Sequence, residues 1–273
     1  MNLPFADKVV WITGGGTGLG RAMALEFAGQ GAKVAVSGRR QDRLDEVVLA
    51  IESMGGSALA VPCDVTDEVA VSDAVAAVLA RYYKLDVVVA NAGFAVAGKI
   101  TNLRAADWRR QFDVNVVGLA NTVRASIAEL KETEGRVALV GSVAGQIAAP
   151  GTGAYSASKY AVRAIGQTLA VELHGSGVSV TLLQPGFVES EIAQVDNKGR
   201  FDEARNDLRP AKLMWPADRA ARDMVNAIYH RRRDVIITGH GKVFGWLGRH
   251  LPGLAHFVFT RGGTPYRRND EQA

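Results

Sequence analysis

The 273-residue chain is 48% hydrophobic and 22% charged and holds a single cysteine, Cys63. That composition suits a globular protein and excludes a disordered chain, an internal disulfide framework or a cysteine metal cluster. The net charge of +4 is uneven, with eight Lys/Arg against three Asp/Glu from Arg231 onward and a nearly neutral remainder, so bulk charge gives no argument for nucleic-acid binding.

Met1 to Lys8 lacks the basic and apolar segments of a secretory signal, and no apolar run approaches the ~18 residues of a membrane span. The expected location is cytoplasmic. Along the chain, short β-branched runs at 8–13, 33–37, 58–62, 87–90, 136–141, 178–184 and 234–238 read as seven buried strands. Helical patterns lie between them near 18–29, 41–54, 67–82, 105–132, 154–174 and 216–231. In the second, Leu44, Val47, Val48 and Ile51 recur at steps of three and four, and Gly55-Gly56 stops the helix. Asp67 is placed to cap the third. Apolar strands joined by helices predict an α/β fold, a single doubly wound Rossmann-type domain with a seven-stranded parallel sheet covered on both faces. The expected division is a dinucleotide-binding and catalytic domain over 1–240 and a C-terminal extension over 241–273. Residues 196–212 break the regularity: nine of the seventeen are charged, which makes a poor core and fits a flap.

The first strand runs into Thr13-Gly14-Gly15-Gly16-Thr17-Gly18-Leu19-Gly20 and a helix follows at once. Glycines there let the backbone turn tightly and approach a pyrophosphate, and the helix amino terminus offers free N–H groups to the anion. Gly14, Thr17, Gly18, Leu19 and Gly20 are therefore candidate cofactor contacts, although the spacing G-x-x-x-G-x-G differs from the commonest dinucleotide fingerprint. About 20 residues on, where an acid would hold a ribose 2′-hydroxyl, the second strand ends in Arg39-Arg40. A guanidinium there suits a 2′-phosphate, so NADP(H) is expected over NAD(H), with Arg39 as the phosphate ligand and Arg40 as helper.

Tyr155 and Lys159 stand four residues apart at the start of a long helix and share a face. A phenol titrates near 10, and a neighbouring ammonium in a partly desolvated site is expected to lower that value into the working range of a general acid or base. With these residues the sequence resembles the short-chain dehydrogenase/reductase family in its Tyr-x-x-x-Lys form. The matching pieces occur in the family's order: Thr13-Gly14-x-x-x-Gly18-x-Gly20, Asp64-Val65, Asn91-Ala92-Gly93, Asn115, Gly141-Ser142, Tyr155-x-x-x-Lys159 and Pro185-Gly186. They span about residues 5 to 240.

The resemblance implies an NADP(H)-dependent oxidoreductase acting on a carbonyl/secondary alcohol pair. Tyr155 would be the general acid or base, Lys159 would lower its pKa and bind the nicotinamide ribose, Ser142 would hold the substrate oxygen, and Asn115 would anchor a proton-relaying water. Asp64 and Val65 would contact the adenine and Asn91 the ribose side. Ala92, Gly93, Pro185, Gly186 and Val188 would complete the cofactor contacts. Ser190, where the family usually has threonine, keeps a hydroxyl near the carboxamide. The alternative is a non-catalytic nucleotide-binding or scaffold protein on the same fold, since fold alone does not imply activity; the intact Ser142, Tyr155, Lys159 and Asn115 set favours the enzyme. The family also commonly pairs subunits through the helices near 105–132 and 154–174, implying a homodimer or homotetramer.

Phe94, Val96, Ile147 and Phe187 adjoin the motifs as a candidate apolar substrate pocket or as core. His174, His230, His240, His250 and His256 have no companions at metal-ligand spacing, so no metal is expected and surface or capping roles are. Cys63 reads as a small buried hydrophobe, and Arg231-Arg232-Arg233 as a solvated helix end. In the tail, Val243, Leu247, Leu251, Leu254 and Val258 recur at helical steps, broken by Pro252-Gly253 into two short helices or one kinked helix. Burial of this stripe against protein is the first expectation, and peripheral contact of 243–260 with an anionic membrane the second.

Overall fold

Val9–Thr13 (β1) reads Val-Val-Trp-Ile-Thr and is buried along its whole length, as a strand covered on both faces must be. Its side chains alternate between two cores: Val10 and Ile12 enter one, Val9 and Trp11 the other. A computed structural model describes residues 3–207 and 209–261.

Six more parallel strands join β1: Lys33–Gly38 (β2), Ser57–Pro62 (β3), Val87–Ala90 (β4), Arg136–Val140 (β5), Ser179–Gln184 (β6) and Asp234–Ile236 (β7). Their order across the sheet is β3-β2-β1-β4-β5-β6-β7. The chain first winds outward from β1 to β3, then returns to the other side of β1 with β4. That reversal opens a crevice beyond the carboxyl ends of β1 and β4, where open α/β sheets bind ligands. The expected seven strands are all present, but not all are fully buried: β3 is mostly half-buried, and β7 is shorter than read and exposed at Asp234. Both are edges, with a neighbour on one side only.

One face of the sheet is covered by Gly18–Gly29 (α1), Gln41–Ser53 (α2) and Ala217–Tyr229 (α7), which bury Met23, Phe27, Leu44, Ile51, Met224 and Ile228. The other is covered by Glu68–Tyr82 (α3), Gly118–Glu132 (α5) and Gly153–Glu172 (α6). Local chemistry sets the ends. The Asp67 carboxylate accepts from the Val69 and Ala70 amides at 2.9 and 3.2 Å and caps α3, while Gly55, at φ +77°, ends the α2 connection. At the amino ends of β1 and β4, the opposite end of the strands from the crevice, Asp86 accepts from the Val9 amide at 2.9 Å and pairs with Lys8 and Lys84 at 2.8 and 3.0 Å. Burial alone would raise its pKa, but these partners hold it below the usual carboxylate value.

The helix read as continuous over 105–132 is interrupted. Ala105–Phe112 (α4) passes into one π turn, Asp113–Val117, before α5 begins. Beyond β7 come Gly239–His250 (α8) and Pro252–Arg261 (α9), two short helices divided at Pro252 as the sequence predicts. No described helix is long and apolar enough to cross a membrane.

Candidate active site

The glycine turn sits at the carboxyl end of β1. Gly14 has φ +64°, and a Cβ on Gly20 would lie 2.1 Å from the Gly14 carbonyl oxygen, so only glycine fits there. Thr17 precedes α1 without capping it by a side-chain hydrogen bond, and the first turn of α1 carries no acid. The amide groups and the positive end of the helix dipole are therefore open to an anion. Asn91, at the end of β4, fastens this turn: its side-chain amide donates to the Thr13 and Gly14 carbonyls at 2.9 and 3.0 Å. Thr13 answers by accepting from the Asn91 and Ala92 amides at 3.1 and 3.2 Å. The side-chain amide of Asn91 is thus engaged by the turn itself.

Arg39 and Arg40 follow β2, but they diverge. Arg40 reaches the glycine turn, 3.5 Å from the Thr17 hydroxyl, and pairs with Glu191 at 2.8 Å. Its guanidinium also lies 5.5 Å from the centre of the Phe201 ring. Arg39 is exposed and donates to the Gly199 carbonyl at 3.2 Å. The residue expected to help is therefore nearer the turn than the expected principal ligand. Asp64 folds onto its own loop, accepting from the Thr66 amide and hydroxyl at 3.0 and 2.8 Å. Val65 is buried, with its carbonyl held by Asn121 at 3.1 Å.

Ser142 follows β5, opens a short 3₁₀ turn by accepting from the Ala144 amide at 3.1 Å, and lies 3.4 Å from the Pro185 carbonyl. Tyr155 and Lys159 rise from the first turns of α6. Burial raises the Tyr155 phenol above its ordinary pKa, while hydrogen bonding to Ser142 and the charge of Arg209 act in the opposite sense. The expected depression by Lys159 is not found. The ammonium instead donates to the Val140 carbonyl at 2.8 Å, lies 5.8 Å from the phenol ring centre, and is itself pushed down by burial to about 8. Desolvation is the largest influence on both groups.

Asn115 occupies the π turn, a geometry frequent at functional sites. Its side chain accepts from the Phe94 amide at 3.1 Å and donates to the Phe94 carbonyl and the Ser158 hydroxyl at 3.1 and 3.0 Å. Ser158 in turn donates to the Tyr155 carbonyl at 2.7 Å. One buried asparagine thus ties the Asn91-Ala92-Gly93 loop to the helix that carries Tyr155 and Lys159.

The loop Pro185-Gly186-Phe187-Val188 closes the other wall. Arg209, from the charged segment, donates to the Val188 carbonyl at 2.9 Å, the Ser190 carbonyl at 3.0 Å and the Ser190 hydroxyl at 3.3 Å. His240, read as a surface or capping residue, accepts from the Phe187 amide at 2.9 Å and stacks on the Phe187 ring at 5.5 Å. Neither was recoverable from the sequence, because each acts on a residue far away along the chain. Of the apolar candidates, Phe94 and Val96 are core, whereas Ile147 and Phe187 are half-buried. Cys63 is buried, and burial raises its thiol to about 11, so it stays protonated and behaves as the small hydrophobe expected.

A glycine turn after β1 at a helix amino terminus, with Ser142 after β5 and Tyr155 and Lys159 on α6 of the same parallel sheet, is the arrangement of an α/β oxidoreductase of the dinucleotide-binding class. The short chain dehydrogenase family pattern matches residues 8–200, and the chain belongs to the short-chain dehydrogenase/reductase family. It is 32% identical over 189 residues to an uncharacterized oxidoreductase of Staphylococcus epidermidis, covering 69% of this chain and 81% of that one. It is also 32% identical over 216 residues to glycine betaine reductase of Emericella nidulans; the match takes in 79% of this chain but only 17% of that much longer protein. Among solved structures, a short-chain dehydrogenase/reductase from Burkholderia phymatum in complex with NAD matches with a TM-score of 0.80 at 28% identity, over 96% of this chain and 97% of that one. A short-chain dehydrogenase from Burkholderia cenocepacia in complex with NADP matches with a TM-score of 0.76 at 28% identity, over 88% and 99%.

Proposed function

We propose that the enzyme interconverts a carbonyl and a secondary alcohol using NADP(H), with Tyr155 as general acid in reduction and general base in oxidation. The observation that carries this reading is the closeness of Ser142, Tyr155 and Lys159: Ser142 hydrogen-bonds the Tyr155 phenol, and the buried Lys159 ammonium lies 5.8 Å from the phenol ring centre. The residues fit a dinucleotide: Gly14, Thr17, Gly18, Leu19 and Gly20 form a tight turn, packed too closely against Gly20 for any Cβ there, under an uncapped helix terminus. A bound nicotinamide supplies or accepts the hydride.

The protein's own part is protonic and electrostatic. Ser142 hydrogen-bonds the substrate oxygen and fixes the carbonyl against the phenol. Tyr155, a phenol whose ordinary pKa lies near 10 and is raised further by burial, gives its proton to that oxygen as the alcohol forms. Lys159 holds positive charge beside the phenolate so produced, and Asn115 keeps helix and loop in register. The preference for NADP(H) is supported by Arg39 and Arg40 standing where an acid would repel a 2′-phosphate. Asp64, Val65, Asn91, Ala92, Gly93, Pro185, Gly186, Val188 and Ser190 line the remaining cofactor path. Half-buried Ile147 and Phe187 favour a substrate with an apolar flank. Residues 1–240 form the catalytic domain and 241–273 the extension. The subunits pair through α5 and α6, where Tyr160 and Val171 are left exposed.

Titrating NADPH and NADH by fluorescence, then following NADPH oxidation with a panel of ketones and aldehydes, tests the reading. Tighter NADPH binding and carbonyl-dependent decay are expected. Tighter NADH binding removes the cofactor assignment, and binding without turnover on any carbonyl favours the nucleotide-binding alternative.

A further inference from the structure

We propose that the outward face of α8 and α9 is a docking surface for an anionic lipid bilayer, with α8 held to the catalytic body chiefly through its glycines. The helix α8 packs through small residues. A Cβ on Gly241 would lie 2.9 Å from Val143, one on Gly245 2.8 Å from Ile236, and one on Gly248 2.5 Å from the Gln146 carbonyl. The helix therefore lies nearly backbone-on against the 3₁₀ turn after Ser142 and against β7. Val243 and Trp246 are turned away, 64% and 56% exposed, while Phe244 and Leu247 are half-buried. In α9 only Ala255 is buried, and Leu254, Phe257 and Val258 are about half exposed. Within its own subunit, then, Val243, Leu251, Leu254 and Val258 of the apolar stripe are not the packing face.

The charges on this surface have one sign. Lys242 and Arg249 lie on the same face of α8 as Trp246, at steps of four and three, and both are exposed. Arg261 ends α9 with its guanidinium 4.5 Å from the centre of the Phe257 ring. No carboxylate occurs in the sequence between Asp234 and Asp270, and Arg267 and Arg268 follow within the same stretch. Two copies meeting by two-fold symmetry set a patch against itself, which here brings cation to cation with no acid in the patch to pair them. A lipid headgroup layer supplies both the missing counter-charge and an apolar interior. Helices of this amphipathic kind lie in the interface plane with the apolar face sunk ~5–10 Å and with tryptophan at the headgroup level. At 12 and 10 residues, α8 and α9 lie on the membrane and do not cross it.

Each cation near an anionic leaflet contributes about fivefold in partitioning, an effect that salt screens. The test is co-sedimentation of the full chain with vesicles of phosphatidylcholine alone or mixed with phosphatidylglycerol. Wild type is expected to sediment with the mixed vesicles only, to shift its tryptophan emission to the blue, and to lose the shift in Trp246→Phe. The double variant Lys242→Glu, Arg249→Glu should lower partitioning at least ~tenfold while its circular dichroism stays native, since neither residue belongs to the buried glycine face. Equal sedimentation of the variant, or none by wild type, overturns the proposal. If Trp246→Glu or Phe257→Glu instead dissociates the oligomer in light scattering while wild type ignores the mixed vesicles, the face is a contact between copies.

Discussion

Replacing Asn91 by alanine removes two hydrogen bonds, those from its amide to the Thr13 and Gly14 carbonyls at 2.9 and 3.0 Å. Each neutral bond contributes about 0.5–1.5 kcal/mol net, so the fold should lose roughly 1–3 kcal/mol. The loss falls on a turn with Gly14 at φ +64° and with backbone too close to Gly20 for any other residue, so its shape depends on few restraints. If these bonds hold the turn ready for the cofactor, part of the free energy reappears in binding, at about tenfold in Kd per 1.4 kcal/mol. Urea unfolding gives the first quantity and NADPH fluorescence titration the second. Unchanged urea midpoint and unchanged Kd in Asn91→Ala would show that the turn is held by Thr13 and the glycines alone, and would refute the role derived for Asn91.

Two further outcomes follow from the same geometry. Arg39→Ala should weaken NADPH binding by roughly 1.5–3 kcal/mol, the scale of a charge-assisted hydrogen bond, and leave NADH binding nearly unchanged, whereas Arg40→Ala should cost less because Glu191 already engages that guanidinium; paired titrations with both cofactors decide the order. Asp86 has a depressed folded-state pKa, so its stabilisation is complete above the unfolded value of about 3.9 and is lost as pH falls through the lower folded value. Asp86→Asn should therefore cost about 1.5–3 kcal/mol at neutral pH and flatten the acid limb of a stability–pH curve measured by urea unfolding; an acid limb identical to wild type contradicts this.

The fold was legible because strands buried on both faces read as continuous apolar runs, and helices between them announce themselves by period and by caps such as Asp67. The candidate site residues stand out in the sequence because their types and order are unusual in combination. What stayed hidden has specific causes. The π turn at Asn115 adds one residue to a helical circuit without altering the apolar pattern around it, so 105–132 reads as one helix. The face by which α8 meets its own subunit is hidden in the sequence because periodicity weighs large apolar residues and ignores Gly241, Gly245 and Gly248, which allow the closest approach. Arg209 and Glu191 act on the site through tertiary placement of a charged segment that in sequence looks only solvated. The Tyr155 pKa was read from the sign of its neighbour, whereas burial decides it.

The account rests most directly on Tyr155 as the proton-transferring group, and single-turnover oxidation of bound NADPH by Tyr155→Phe tests it. With a carbonyl substrate that wild type reduces, the variant should bind NADPH with near-native affinity and native circular dichroism while its hydride-transfer rate falls by about 10²–10⁴, the usual worth of general acid–base help. A variant that transfers hydride within a few-fold of the wild-type rate would contradict the assignment of Tyr155.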